Sequence, residues 1–63
     1  MKYYVGYQEA VCRFSVYFYE KGILRIIETD GRVGNTNAIW NGTFGIFDTL
    51  EEALKDADKR NGF

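Results

Sequence analysis

The chain contains no histidine and a single cysteine, Cys12. Without histidine there is no side chain whose ordinary pKa suits proton transfer near neutrality, so acid–base chemistry would fall to carboxylates, lysine or tyrosine. With one cysteine, no intrachain disulfide and no cysteine-ligated metal cluster can form within one chain. No apolar run approaches the length of a membrane span. The opening Met1-Lys2-Tyr3-Tyr4-Val5-Gly6 lacks the apolar core of a signal peptide. These absences lead us to expect a cytoplasmic protein with no membrane partner. Asn41-Gly42-Thr43 matches a glycosylation sequon, which in that setting reads as turn chemistry.

Charge of either sign is also scarce in net terms: the formal charge is −1. Its distribution is uneven. Asp48, Glu51, Glu52, Asp56 and Asp58 crowd the C-terminal stretch, while Lys2, Arg13, Lys21, Arg25 and Arg32 all precede it. What is abundant is apolar and aromatic: 46% of the 63 residues are hydrophobic and 17% aromatic. That composition belongs to a globular chain, and the length allows one domain, residues 1–63. A domain this small buries only about 60% of its unfolded surface, so large aromatic side chains matter to its core.

Lys2 to Gln8 alternates with Tyr3, Val5 and Tyr7 on one side, the pattern of a half-buried strand. A loop over Gln8 to Val11 then pairs Tyr7 with Cys12 and Val5 with Phe14, which places Tyr4 opposite Ser15 and Lys2 opposite Tyr17. Cys12 to Thr29 reads as a hairpin closed by a three-residue bulged loop, with Gly22 in the left-handed conformation. In that register Phe18 faces Leu24 and Val16 faces Ile26. Phe14, Val16, Phe18, Leu24 and Ile26 form the core face, and Ser15, Tyr17, Tyr19, Ile23, Arg25 and Ile27 form the other. Asp30-Gly31 signals a turn, and Gly31 to Asn37 is either more sheet or a loop. Asn41-Gly42 fits a tight hairpin with Trp40 opposite Thr43 and Ile39 opposite Phe44. Thr43 to Phe47 follows as a strand with Phe44 and Ile46 on one face, and Gly45 marks a bulge or a close backbone approach.

The C-terminal helix has the clearest signature. Asp48 with Glu51 makes a capping box, and Thr49 with Glu52 is the alternative shifted by one residue. Leu50, Ala53, Leu54 and Ala57 make one apolar stripe. Glu51 and Glu52 suit the positive end of the helix dipole, and Lys59 and Arg60 the negative end. Gly62 is placed to end the helix, with Phe63 folding back on the last turn. The stretch Asp48-Thr49-Leu50-Glu51-Glu52-Ala53-Leu54 resembles the strand-to-helix junction of HicB-type antitoxins and of many other small α+β proteins. Capping preferences alone produce such a stretch, and no function is carried over from it. The expected fold is α+β: an antiparallel sheet of three to four strands with one C-terminal helix packed on one face.

No catalytic constellation emerges. Cys12 lacks a partner histidine and reads as a small core residue. The helix carboxylates read as a solvated face. Glu28, Asp30 and Asp48 have no metal-loop spacing, and Gly31-Arg32-Val33-Gly34 lacks the flanking helices of a phosphate-clamping loop. The second sheet face is the informative feature. Tyr4, Arg13, Tyr17, Tyr19, Ile23, Arg25 and Ile27, with Lys2, share it, Tyr17 lies across from Arg25, and no helix remains to cover it. Such a face can simply strengthen a small sheet through cross-strand pairs. Tyrosine and arginine on contiguous apolar surface also suit a protein interface. The expected function is therefore a small non-enzymatic regulator or inhibitor, of the size encoded by phages and mobile elements. It binds a larger host protein or a second copy of itself by sheet face or edge, with Trp40 as a further contact and no cofactor. Single-stranded nucleic acid on the same aromatic and basic face is the alternative.

Overall fold

The structure is a computed structural model. It describes residues 1–9, 12–27, 33–35 and 40–62, and at 33–35 and 40–42 the backbone alone. Its elements in order are β1 (Tyr3–Gln8), β2 (Arg13–Glu20), β3 (Ile23–Ile27), β4 (Val33–Asn35), β5 (Trp40–Phe47) and α1 (Leu50–Asn61). The fold is α+β, with an antiparallel sheet and the C-terminal helix on one face, as expected. Four strands have five or more residues, and the three-residue β4 adds a short edge. The spatial order is β4-β3-β2-β1-β5, so β1 to β4 form a meander and β5 returns to the far side of β1. The turn expected at Asp30-Gly31 lies outside the described residues, while Val33–Asn35 pairs with β3 and extends the sheet.

The central hairpin differs from the expected register by one residue. Glu20 pairs with Ile23, Phe18 with Arg25, Tyr17 with Ile26 and Val16 with Ile27. The loop is two residues long, Lys21-Gly22, with φ of 51° and 81°. Two successive positive-φ residues make the kind of turn whose twist matches that of the flanking strands. A lysine there costs about 1–2 kcal/mol, which is why the sequence reads more naturally as a longer loop. A one-residue slip moves every β3 side chain to the other face. Ile23, Arg25 and Ile27 therefore lie on the helix side, and Leu24 and Ile26 on the side of Tyr17.

The pairing of β1 with β2 slides by two residues, which preserves faces. Val5 meets Val16, Tyr4 meets Tyr17 and Tyr7 meets Phe14. The connection is closed by the Cys12 N–H donating to the Glu9 carbonyl at 3.2 Å. Cys12 thus belongs to the turn, with φ 53°, and is exposed rather than part of the core. The hairpin expected at Asn41-Gly42 does not form. β5 runs unbroken through it and pairs with β1, with Trp40 opposite Gln8, Asn41 opposite Tyr7 and Gly45 opposite Val5. The surplus residues of β5 are absorbed as a register break opposite Gly6, so Phe44 and Ile46 no longer share a face.

The helix caps as its signature predicts, by the shifted alternative. The Thr49 hydroxyl accepts from the Glu52 N–H at 3.3 Å and donates to the Glu52 carboxylate at 2.8 Å. Gly62 ends the helix at φ 91°, its N–H shared between the Asp58 and Lys59 carbonyls. The fold-back of Phe63 lies outside the described residues. Ala53 and Ala57 are fully buried and let the helix sit close on β1, β2 and β5, over Val5, Val16, Phe18 and Ile27. Tyr3, Phe14, Phe47, Leu50 and Leu54 complete this core. At Gly45 a Cβ would lie 2.7 Å from the Phe47 ring, which would have to shift, and in ordinary contact, at 3.4 Å, with the Asp56 carboxylate on the helix.

Covalent reach forces the sheet to curl. Asn35 shares a row with Arg25, Phe18, Tyr3 and Phe47, whereas Trp40 pairs with Gln8. In a flat sheet those two residues would stand roughly 25 Å apart, four strand spacings across and five residues along. The five peptide links joining them span at most about 18 Å. The two edges must therefore be drawn together. Tyr17 and Ser15, on the face turned away from the helix, are fully buried, and Ile26 is nearly so, which places the concave side there.

Candidate functional site

That curvature gives the protein a second interior. Tyr17, Ser15, Ile26 and Gln8 fill it, and the Ser15 hydroxyl donates to the Gln8 side-chain oxygen at 3.3 Å. The anticipated continuous tyrosine–arginine surface is split by the shifted register of β3. Tyr4, Arg13, Tyr17 and Tyr19 lie on the concave side, with Tyr17 enclosed. Ile23, Arg25 and Ile27 lie on the helix side, with Ile27 4% exposed beneath the core. Arg25 faces Phe18, not Tyr17, and its Nη1 pairs with Glu20 at 3.5 Å. Trp40 has its backbone on β5.

What stays open on the concave side is its rim at the start of β1. Tyr4 packs edge-on against Tyr19, ring centroids 6.3 Å apart, and lies directly opposite Ile46 on β5. Tyr19 is 51% and Ile46 58% exposed. The Lys2 ammonium and the Asp48 carboxylate form an ion pair on the neighbouring row. It holds the Asp48 carboxyl below its usual pKa and the Lys2 ammonium above its own. Three apolar side chains framed by one neutralised charge pair make up the patch.

The edge strand β5 holds a second group. Phe14 stacks edge-on with Tyr7 and with Phe44, each at 5.1 Å between centroids. Arg60 lies over both phenylalanines, its Cζ 6.0 Å from the Phe14 centroid and 5.6 Å from that of Phe44. Its Nε donates to the Asp56 carboxylate at 2.7 Å and its Nη2 to the Phe44 carbonyl at 3.0 Å. Asn61 fixes the same end of the helix. Its side-chain oxygen accepts from the Phe14 N–H at 2.7 Å, and its amide donates to the Phe14 carbonyl at 2.9 Å. At the foot of β1, loss of solvation and then the neighbouring Cys12 thiol push the Tyr7 phenol upward.

No family model, no curated protein and no solved structure matches the chain. Among the described residues no three acidic or thiol side chains gather into a group that could hold a metal ion. No described helix is long and apolar enough to cross a membrane. Sequence reasoning missed Ile46, Phe44 and Arg60. The alternation of Thr43 to Phe47 marks the first two as apolar, but their exposure follows from β5 being an edge, and strand order is not written in a local pattern.

Proposed function

We propose that this chain is a small, non-catalytic protein-binding regulator or inhibitor acting in the cytoplasm, and that it engages a larger protein through Tyr4, Tyr19 and Ile46. The observation that carries this reading is the pairing of two half-exposed large side chains, Tyr19 and Ile46, on either side of Tyr4 on one sheet face. Tyrosine offers a large rigid contact at low entropic cost and is over-represented at binding hot spots. The total accessible surface, 4160 Å² for 7.3 kDa, equals the roughly 4,200 Å² of a compact monomer. The chain thus closes its own core without a partner.

Single-stranded nucleic acid is the weaker reading. Base stacking with phosphate attraction needs exposed rings interleaved with free cations. Tyr17 is enclosed, Arg25 lies on the other side of the sheet, and Lys2 is engaged by Asp48. The test is affinity capture from the native host with three baits: the wild type, Tyr19→Ser combined with Ile46→Ser, and Ile23→Ser on the helix side. A partner held by the first and third baits and lost by the second supports the reading. Capture indifferent to the patch, or a salt-sensitive oligonucleotide shift, overturns it.

A further inference from the structure

β5 is the last strand of the sheet, and its far side pairs with no described strand. Its sequence, Trp40-Asn41-Gly42-Thr43-Phe44-Gly45-Ile46-Phe47, has no charged residue and no proline, the usual devices that keep an edge from recruiting another strand. Two other devices stand at its middle. One is the register break against β1 between Val5 and Tyr7. The other is Arg60. We propose that Arg60 is an autoinhibitory guard: it occupies the Phe44 carbonyl and so prevents β5 from pairing with β5 of a second copy of this chain.

The guanidinium is held firmly enough for that task. Asp56, one helical turn back, takes Nε, the Phe44 carbonyl takes Nη2, and the Phe14 and Phe44 rings lie beneath the plane. An incoming strand would have to displace a charge-assisted bond and bury the guanidinium, which disfavours pairing. A second copy is the fitting occupant because antiparallel pairing of one strand with itself is two-fold symmetric and closes as a dimer. Nothing in this uncharged strand sets like charges opposite each other, and a net charge of −1 repels only weakly between copies. This proposal does not rest on the Tyr4–Tyr19–Ile46 reading, whose patch lies on the sheet face.

Sedimentation equilibrium with increasing concentration tests it. The wild type stays at the 7.3 kDa of one chain, and Arg60→Met, which keeps the aliphatic stem and removes every donor, rises toward twice that mass. Adding Thr43→Lys, a charge on the exposed edge itself, returns the variant to a monomer. Circular dichroism reports folding in parallel. Should Arg60→Met not fold, Arg60→Gln, too short to reach the Phe44 carbonyl, carries the same expectation. A folded Arg60 variant that remains monomeric throughout overturns the proposal. So does association that Thr43→Lys leaves intact, or a wild type that associates equally well.

Discussion

Replacing Asn61 by alanine puts the joint between helix and sheet to a quantitative test. The Asn61 side chain makes two hydrogen bonds to one residue of β2, at 2.7 and 2.9 Å, in a part-buried setting. Each is worth about 1 kcal/mol net, and stranding the Phe14 N–H and carbonyl adds to the loss, for a total of about 2–3 kcal/mol. Alanine is the better helix former by about 0.6 kcal/mol, which acts in the opposite direction. The expected net loss is about 2 kcal/mol. A domain of this length has roughly 3–9 kcal/mol in all, so the change is large. Urea denaturation should show a lower midpoint at unchanged slope. Asn61→Gln, with the same groups one methylene further out, should recover only part of the loss. A loss below about 0.5 kcal/mol for Asn61→Ala would refute the idea that this amide fastens the helix to the sheet.

Three further outcomes follow from the geometry. Lys21→Asn should stabilise the protein by about 0.5–1 kcal/mol, because asparagine accepts a positive φ that lysine resists; a three-residue loop predicts no gain in the same urea titration. Gly45→Ala should lower the melting temperature markedly, at a cost of about 1–3 kcal/mol, since the new methyl meets the Phe47 ring; an unchanged melting temperature would mean that Phe47 moves freely. Asp48, whose carboxyl Lys2 holds below the usual 3.8, contributes stability that is complete above that value and is lost as pH falls through its lowered pKa. The acid-side drop in melting temperature should therefore shrink in Lys2→Met and in high salt, and an identical drop in that variant would remove the ion pair from the account.

The helix was legible, apart from which of two adjacent residues caps it, because its determinants are local: Thr49 and Glu52 at one end, Gly62 at the other, and an Ala and Leu stripe between. Gly45 was legible for the same reason, as a glycine between Phe44 and Ile46 in a strand. The faces of β3 were not. Ile23-Leu24-Arg25-Ile26-Ile27 is apolar at every position but one, so either register offers the helix an apolar row. The choice falls to the turn, where Lys21 accepts a disfavoured φ, and to the burial of Tyr17 and Ser15 on the far face, which no local pattern announces. The apolar and aromatic character of the second face pointed to that burial as much as to a partner. The residues proposed for contact or for guarding the edge divide accordingly: alternation alone marks Tyr4 and Tyr19, whereas Ile46 and Arg60 depend on which strand lies at the edge.

The claim on which the rest depends is the two-residue turn that sets Ile26 opposite Tyr17 and sends Arg25 to the helix side. Proton NMR of the hairpin reads it directly, because the non-hydrogen-bonded pairs of an antiparallel ladder bring their Cα atoms to about 4.5 Å and their α-protons into contact. Strong α-proton cross-peaks between Tyr17 and Ile26 and between Tyr19 and Leu24 are the predicted result. Cross-peaks between Val16 and Ile26 and between Phe18 and Leu24 would contradict it.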